Sequence, residues 1–247
     1  MEKLKYSILV CAYCNVDQFN RFLMTACSQD FDDYEVVVVD NATPNNDIML
    51  SCDTARSWLG IDNLVYIRLS KAVKRCKNIA QGINIAAVRA RGERFVIVAD
   101  SNVLLSDNLL KEIDKHNGRE VVISGAGTDI KISPDGNINT EYGSGNPMMI
   151  GRDNARLLKK MGWPDDPLKL KLIPGTYRIP DPHNQFDVYI ISMHRSQFSE
   201  YDEAFTHWGP YHAHYVKNKC MEYGHRRLKN TRIIHQYHRV WKDEQPT

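Results

Sequence analysis

Two oxygen donors two residues apart, Asp100 and Asn102, close the segment Arg91-Gly92-Glu93-Arg94-Phe95-Val96-Ile97-Val98-Ala99-Asp100-Ser101-Asn102. A carboxylate and an amide oxygen are hard ligands suited to Mg²⁺ or Mn²⁺, ions that take few protein ligands and complete their shells with substrate phosphates. Taken alone, D-x-N is more often an Asx-type turn ahead of a helix. Its position changes that weighting. Phe95 to Ala99 is a short run rich in branched residues between polar ones, the pattern of a buried strand, so Asp100 falls at a strand's C-terminal end. In an open α/β sheet that end faces the ligand crevice. Asp40 closes the run Tyr34 to Val39 and falls at a second such end, where a carboxylate suits hydrogen bonds from a nucleobase or ribose. By itself Asp40 would read as a turn cap.

Periodicity gives the elements that must position these residues. Ser7 to Ala12 is an apolar run, and a helix comes next with Phe19, Phe22, Leu23 and Ala26 on its buried face and Asn15 or Asp17 as its cap. A second helix is expected over Asp47 to Leu59, with Ile48, Leu50 and Trp58 on its apolar side, then a strand over Leu64 to Leu69 and a helix over Asn78 to Ala90. Strands alternating with helices over the first hundred or so residues predict a parallel sheet, because parallel strands need crossovers. A helix at Asp107 to His116 and a strand at Glu120 to Ser124 extend it. Ser133-Pro134-Asp135-Gly136-Asn137 is a hairpin turn within Ile130 to Tyr142. Prolines and glycines from Trp163 to Asn184 read as a long, substrate-covering surface loop. Phe186 to Ile191 returns to strand, His212 to Tyr223 to helix, and Arg232 to Ile234 to a last short strand.

Composition sets the class. With 247 residues, 43% hydrophobic and 25% charged, the chain is that of an ordinary globular protein with a full core. A net charge of +2 supplies no global field for nucleic acid or anionic membrane. The stretch Lys217 to Lys242 is locally basic (Lys217, Lys219, Arg226, Arg227, Lys229, Arg232, Arg239 and Lys242 against Glu222), which suits a phosphate-bearing partner or a solvated surface. Six irregularly spaced cysteines do not make a disulfide scaffold, and a reducing, cytoplasmic setting is expected, soluble or peripheral to a membrane. The N-terminus does not read as a signal peptide, and no window reaches the length of a membrane span. Cys11-Ala12-Tyr13-Cys14 lies between a strand and a helix, as thioredoxin-like redox sites do, but no other feature of the sequence supports that chemistry.

Taken together, the motifs resemble the GT-A fold of nucleotide-sugar glycosyltransferases, in particular the large inverting family 2. Ser7 to Asn15 is similar to its opening strand and P-x-Y-N, and Val36 to Thr43 to its V-V-D-D/N-x-S. Arg75 to Asn84 with Ala90 to Glu93 looks like the segment before its D-x-D strand, and Asp100 to Ser106 like the D-x-D region itself. Asp202-Glu203-Ala204-Phe205-Thr206-His207-Trp208-Gly209 resembles its D-E-x-F-x-x-W-G, and His235-Gln236-Tyr237-His238 its late H-x-x-H.

The resemblance implies one GT-A domain over 1–247, with a Rossmann-like, mostly parallel nucleotide-binding half to about residue 103 and an acceptor-binding half over 104–247. It further implies that Ala12, Tyr13 and Asp40 meet the base, that Arg75, Lys77, Asp100 and Ser101 contact the donor, and that Asp100, Asn102 and His235 hold Mn²⁺ or Mg²⁺. Trp208 and Tyr211 would bind acceptor. Two departures stand out: Asn102 replaces the second Asp of D-x-D, and Pro210-Tyr211-His212-Ala213-His214 replaces the x-E-D that carries the general base. Histidine can take that proton, so His212, then His214, are the proposed bases.

The expected reaction is metal-dependent, inverting transfer of a sugar from a nucleoside-diphosphate donor, UDP-linked by preference, to a hydroxyl of a glycan, lipid-linked saccharide, protein or modified nucleic acid. A nucleotidyltransferase of similar fold and a non-catalytic nucleotide-binding protein are the alternatives. The former usually carries a glycine-rich basic loop after the first strand, which this sequence lacks.

Overall fold

Alternation along β1 (Leu4–Ala12) decides how the molecule is layered. Successive strand residues point to opposite faces, so Tyr6, Ile8, Val10 and Ala12 pack in one apolar layer while Leu9 and Cys11 pack in the other. The computed structural model describes residues 4–59, 63–74, 79–99, 101, 103–116, 118–125, 127–132, 138–139, 175–180, 188–204, 208–228 and 233–235. Within these, β2 (Tyr34–Asp40), β3 (Leu64–Arg68) and β4 (Gly92–Val98) run parallel to β1. Val36 and Val38 share the layer of Tyr6, and Val37 and Val39 share that of Leu9. Runs of valine are what a strand covered on both faces requires.

The first layer is closed by α1 (Val16–Cys27), α2 (Asp47–Leu59) and α4 (Leu109–Asp114), the second by α3 (Ala80–Arg89) and α5 (Trp208–Tyr223). Phe19, Phe22, Leu23 and Ala26 are the buried face of α1, as their spacing predicts. In α2 the buried positions are Ile48, Ser51, Cys52 and Ala55, one helical stripe; Leu50 is exposed, contrary to expectation, because two positions from Ile48 is the far side of the helix. Asn15 sits at the N-cap of α1 in a left-handed conformation and makes no capping bond with its side chain, so the expected cap is positional only. The helix predicted from His212 begins one turn earlier, at Trp208, with Pro210 tolerated in the first turn where its missing N–H costs nothing.

The full seven-stranded sheet has the order β11-β6-β10-β4-β1-β2-β3, with β6 at Val121–Gly125, β10 at Val188–His194 and β11 at His225–Arg227. Here β10 runs antiparallel to both of its neighbours, so the sheet is mixed and mostly parallel. Strands from beyond residue 103 therefore complete the sheet begun by the first hundred residues.

A second sheet has the order β5-β12-β9-β7-β8, formed by β5 (Val103–Leu105), β7 (Gly127–Ile132), β8 (Ile138–Asn139), β9 (Gly175–Pro180) and β12 (Ile233–His235). The pairs Lys131 with Asn139 and Ile132 with Ile138 make the predicted hairpin, whose turn residues lie outside the described set. The long loop expected from Trp163 to Asn184 is corrected in part: Gly175–Pro180 is a strand between β12 and β7, stabilised by a ladder no local pattern announces. The strands β5 and β11, three residues each, are likewise too short for a sequence pattern to announce.

The register of β4 on β1 is locked at one corner. Ser7 Oγ donates to buried Glu35 at 2.7 Å, the Gly92 amide donates to Ser7 Oγ at 2.8 Å, and Arg91 Nε pairs with Glu35 at 2.9 Å. A Cβ on Gly92 would stand 2.5 Å from the Ser7 backbone nitrogen, closer than real contacts allow. Gly92→Ala should therefore lower stability by about 3 kcal/mol, read as a lower urea midpoint at unchanged m-value, whereas a change under about 0.5 kcal/mol would show the corner to be loose.

Candidate functional site

The parallel strands β1, β2, β3 and β4 end at one edge of the sheet, the edge where an open α/β sheet is expected to have its ligand crevice. Ala12, Asp40 and Arg68 are cross-strand partners in a single row, and the Asn41 amide continues the ladder to the Ala12 carbonyl at 2.8 Å. Asp40 is fully buried. Its Oδ1 accepts from the Thr43 amide at 2.8 Å, its Oδ2 accepts from the Tyr66 hydroxyl at 3.0 Å, and Arg68 Nε lies 3.8 Å from Oδ2. The carboxylate thus holds the turn at 41–43 and does not face solvent. Burial, then the Asp40 charge and hydrogen bond, raise the Tyr66 phenol well above its ordinary range, which keeps that proton on the donor side of the bond.

Backbone strain gathers at the same edge. Cys14 and Asn15 have φ of 51° and 44° after β1, and Ala42 has φ of 61° after β2. Left-handed conformations at non-glycine residues cost of order 1–3 kcal/mol each and persist where the surroundings over-determine them. Here the Cys14 amide donates to Thr43 Oγ1 at 3.2 Å and ties the two strained turns together. Tyr13 is half-buried beside them with Lys74 Nζ 4.5 Å from its ring centroid, a cation–π contact. The C-x-x-C segment does not have the electrostatics of a redox site. Cys11 is buried in β1, and burial pushes the Cys14 thiol up, whereas reactive thiols are pulled down.

On the far side of the crevice β4 ends at Val98, and the Ala99 amide bonds to the Tyr189 carbonyl of β10 at 2.8 Å. Ser101 is buried; Asp100 and Asn102, like Arg75 and Lys77, lie outside the described residues. The strand leaving the turn is well fixed. The Leu105 amide donates to Thr25 Oγ1 of α1 at 3.1 Å, while Gln29 donates to the Ser106 carbonyl at 2.9 Å and accepts from the Leu110 amide at 3.2 Å. On that anchored strand β12 pairs antiparallel, with His235 opposite Val103 and Ile233 opposite Leu105. The backbone of His235 therefore lies directly across from the residue next after Asn102. Among the described residues no group of three or more His, Cys, Asp and Glu could hold a metal ion.

The segment resembling D-E-x-F-x-x-W-G is docked by one side chain. Asn84 of α3 donates to the Tyr201 carbonyl at 2.9 Å and accepts from the Tyr201 amide at 2.8 Å, with Glu203 Oε1 at 3.3 Å from its Nδ2. Tyr201 stacks on Tyr215, ring centroids 3.9 Å apart, and on His212 at 6.1 Å. His212 is 4% exposed, with Nδ1 3.2 Å from the Tyr201 hydroxyl; His214, two residues on, is exposed and meets Asn218 at 3.1 Å. Trp208 and Tyr211 lie in the first turn of α5 ahead of His212. The described residues of the basic C-terminal stretch do not form one patch. Lys219 is buried against the Tyr215 and Tyr223 rings, and Arg226 pairs with Glu120 at 2.7 Å.

Tyr66 and Tyr201 lie outside the motifs read from the sequence, and Asn84 and Thr43 lie inside them with no role assigned; each is defined by a tertiary hydrogen bond. Because Asn84 satisfies both backbone groups of a buried residue, Asn84→Ala should cost about 2–4 kcal/mol in thermal or urea unfolding. Asn84→Asp, which keeps the acceptor for the Tyr201 amide but sets a carboxylate against the Tyr201 carbonyl and Glu203, should cost at least as much; a change under about 0.5 kcal/mol in both variants would show that Asn84 does not dock the segment.

No protein-family model matches the sequence, and no curated protein does. Solved structures do. TarS 1-349 of S. aureus is 17% identical with a TM-score of 0.55, over 93% of this chain and 60% of that one. The mannosyltransferase PcManGT from Pyrobaculum calidifontis, in complex with GDP-Man and Mn²⁺, is 16% identical with a TM-score of 0.51, over 93% of this chain and 55% of that one. The chain thus spans little more than half the length of either structure. At such identities the likeness is one of architecture, and with the mixed, mostly parallel seven-stranded sheet it gives the chain the GT-A fold of the nucleotide-sugar glycosyltransferases.

Proposed function

We propose that this chain transfers a sugar from a nucleoside-diphosphate donor, UDP-linked by preference, to an acceptor hydroxyl with inversion. The observation that carries the reading is the pairing of His235 with Val103, which sets a late histidine beside the strand that leaves the Asp-Ser-Asn turn, in a chain with the GT-A fold. Asp100, Asn102 and His235 then form a set of two oxygen donors and one imidazole, chemically suited to Mn²⁺ or Mg²⁺ with nucleotide phosphates in the remaining positions. A divalent ion bound there would supply charge stabilisation to the departing diphosphate. Asn102 is neutral where a second carboxylate is usual, so affinity for the ion alone should be low and should rise with nucleotide.

The nucleobase is assigned to the crevice between β1 and β2. Tyr13, half-buried, is assigned to the base with Ala12 packed behind it, and Asp40 acts there by fixing the 41–43 turn through Thr43 and Tyr66. Arg75 and Lys77 are assigned to the donor phosphates, and Ser101 to the turn between the two ligands. Trp208 offers an apolar platform to a sugar ring, with Tyr211 beside it on the same helix turn.

The acceptor proton is assigned to a histidine of α5. His212 is supported by its position and by Tyr201, which steadies Nδ1, so that Nε2 is the nitrogen assigned to proton transfer. His214 is supported by its exposure on the same helix. One of the two, on deprotonating the acceptor hydroxyl, allows that oxygen to attack the anomeric carbon as the diphosphate leaves.

A thermal-shift panel of UDP, GDP, UDP-sugars and GDP-mannose, each with and without Mn²⁺, tests the donor assignment. Ligand at a hundred times its Kd should add about 2.7 kcal/mol of apparent stability, a rise of about 5–10 °C, dependent on Mn²⁺. In His235→Ala the Mn²⁺-dependent part should disappear. No shift with any nucleotide would contradict the donor assignment. Transfer of labelled sugar should fall at least about a hundredfold in His212→Ala or in His214→Ala, with donor binding retained; full activity in both would remove the histidine base.

A further inference from the structure

The second sheet sets one cross-strand row of chemically active residues beside the Asp-Ser-Asn turn. Val103 of β5 faces His235 of β12, His235 faces Arg178 of β9, and Arg178 faces Asp129 of β7. The sequence of the two central strands divides these residues sharply by face. With a period of two, Thr128, Ile130, Ile132, Tyr177 and Ile179 share one side of β7 and β9, while Asp129, Lys131, Thr176 and Arg178 share the other. Directly opposed residues in an antiparallel ladder lie on the same face, so Arg178 takes the face of His235. Two strand spacings separate β9 from β5, about 10 Å, a span that a long cationic side chain and a diphosphate together can bridge.

We infer that Arg178 is a donor-site residue that binds the diphosphate of the nucleotide, a role that rests on the transferase reading above. Charge supports the choice. With Asp100 as the one carboxylate among the three proposed metal ligands, a divalent ion leaves a nucleoside diphosphate with net negative charge, and that charge grows on the leaving oxygen as the sugar departs. Arginine answers it better than lysine, because the planar guanidinium meets two phosphate oxygens at once. Its position on a strand, in a ladder shared with His235, holds such a contact in register with the metal ligands more tightly than a loop would. The competing role is local: Arg178 and Asp129 are directly opposed, and a cross-strand ion pair between them would contribute only to the stability of the sheet.

Titration calorimetry with UDP, GDP, UMP and GMP, in the presence of Mn²⁺, separates these roles in the full chain. Wild type should bind a diphosphate more tightly than the matching monophosphate. Arg178→Ala should lose about ten- to a hundredfold in UDP or GDP affinity with little change for UMP or GMP, and Arg178→Lys should recover part of the loss. Asp129→Asn should leave the preference for diphosphate intact. Urea unfolding of each variant controls for folding, and Arg178→Gln serves if the alanine variant is unstable. Unchanged diphosphate affinity in a folded Arg178→Ala or Arg178→Gln, or an equal loss in Asp129→Asn, would overturn the inference and leave the transferase reading standing. Absence of any diphosphate binding by wild type, with or without Mn²⁺, would instead overturn both.

Discussion

The antiparallel pairing of β12 with β5 is the contact on which the rest of the proposed site depends. Both strands are three residues long and far apart in sequence, so the loop between them costs entropy that their own few hydrogen bonds repay poorly. What makes the pairing tenable is that β5 is not a free edge. Thr25 of α1 and Gln29, just past its end, hold its backbone and that of the turn after it, and Leu105 is buried in the layer closed by α1, α2 and α4. The first sheet therefore presents a prepared strand, and the second sheet grows outward from it through β12, β9 and β7.

The opposite rim of the crevice is organised by Asp40. A buried carboxylate is costly unless its oxygens are met, and here a backbone amide, a phenol and a guanidinium meet them. Those bonds, with that between Cys14 and Thr43, offset the strain of the left-handed residues Cys14, Asn15 and Ala42. An edge built this way is ordered by its own bonds, and a ligand bound there as proposed would lose less entropy on binding.

Much of this is legible in the sequence because burial on two faces leaves a strong mark. Valine runs in β2, the apolar run of β1 and the helical stripe Phe19, Phe22, Leu23, Ala26 mark strands and helices locally. Asp40 reads locally as a turn cap, and its bond to the Thr43 amide is of that kind; its partners Tyr66 and Arg68 come from a neighbouring strand and leave no local signal. The second sheet is legible only in part. The β7–β8 hairpin is marked by its turn residues and β12 by a short apolar run, whereas β5 is too short to register and β9 sits in a proline- and glycine-rich stretch that reads as loop. Asn84 looks like one polar residue on a helix, and only the fold brings it to both backbone groups of Tyr201.

Anomalous scattering at the manganese edge, from crystals grown with Mn²⁺ and UDP or GDP, tests the central assignment most directly. The account predicts one strong peak bordered by the side chains of Asp100, Asn102 and His235, with the two phosphates completing its shell. A nucleotide bound in the crevice with no manganese at that turn, or with manganese held by other residues, would contradict it.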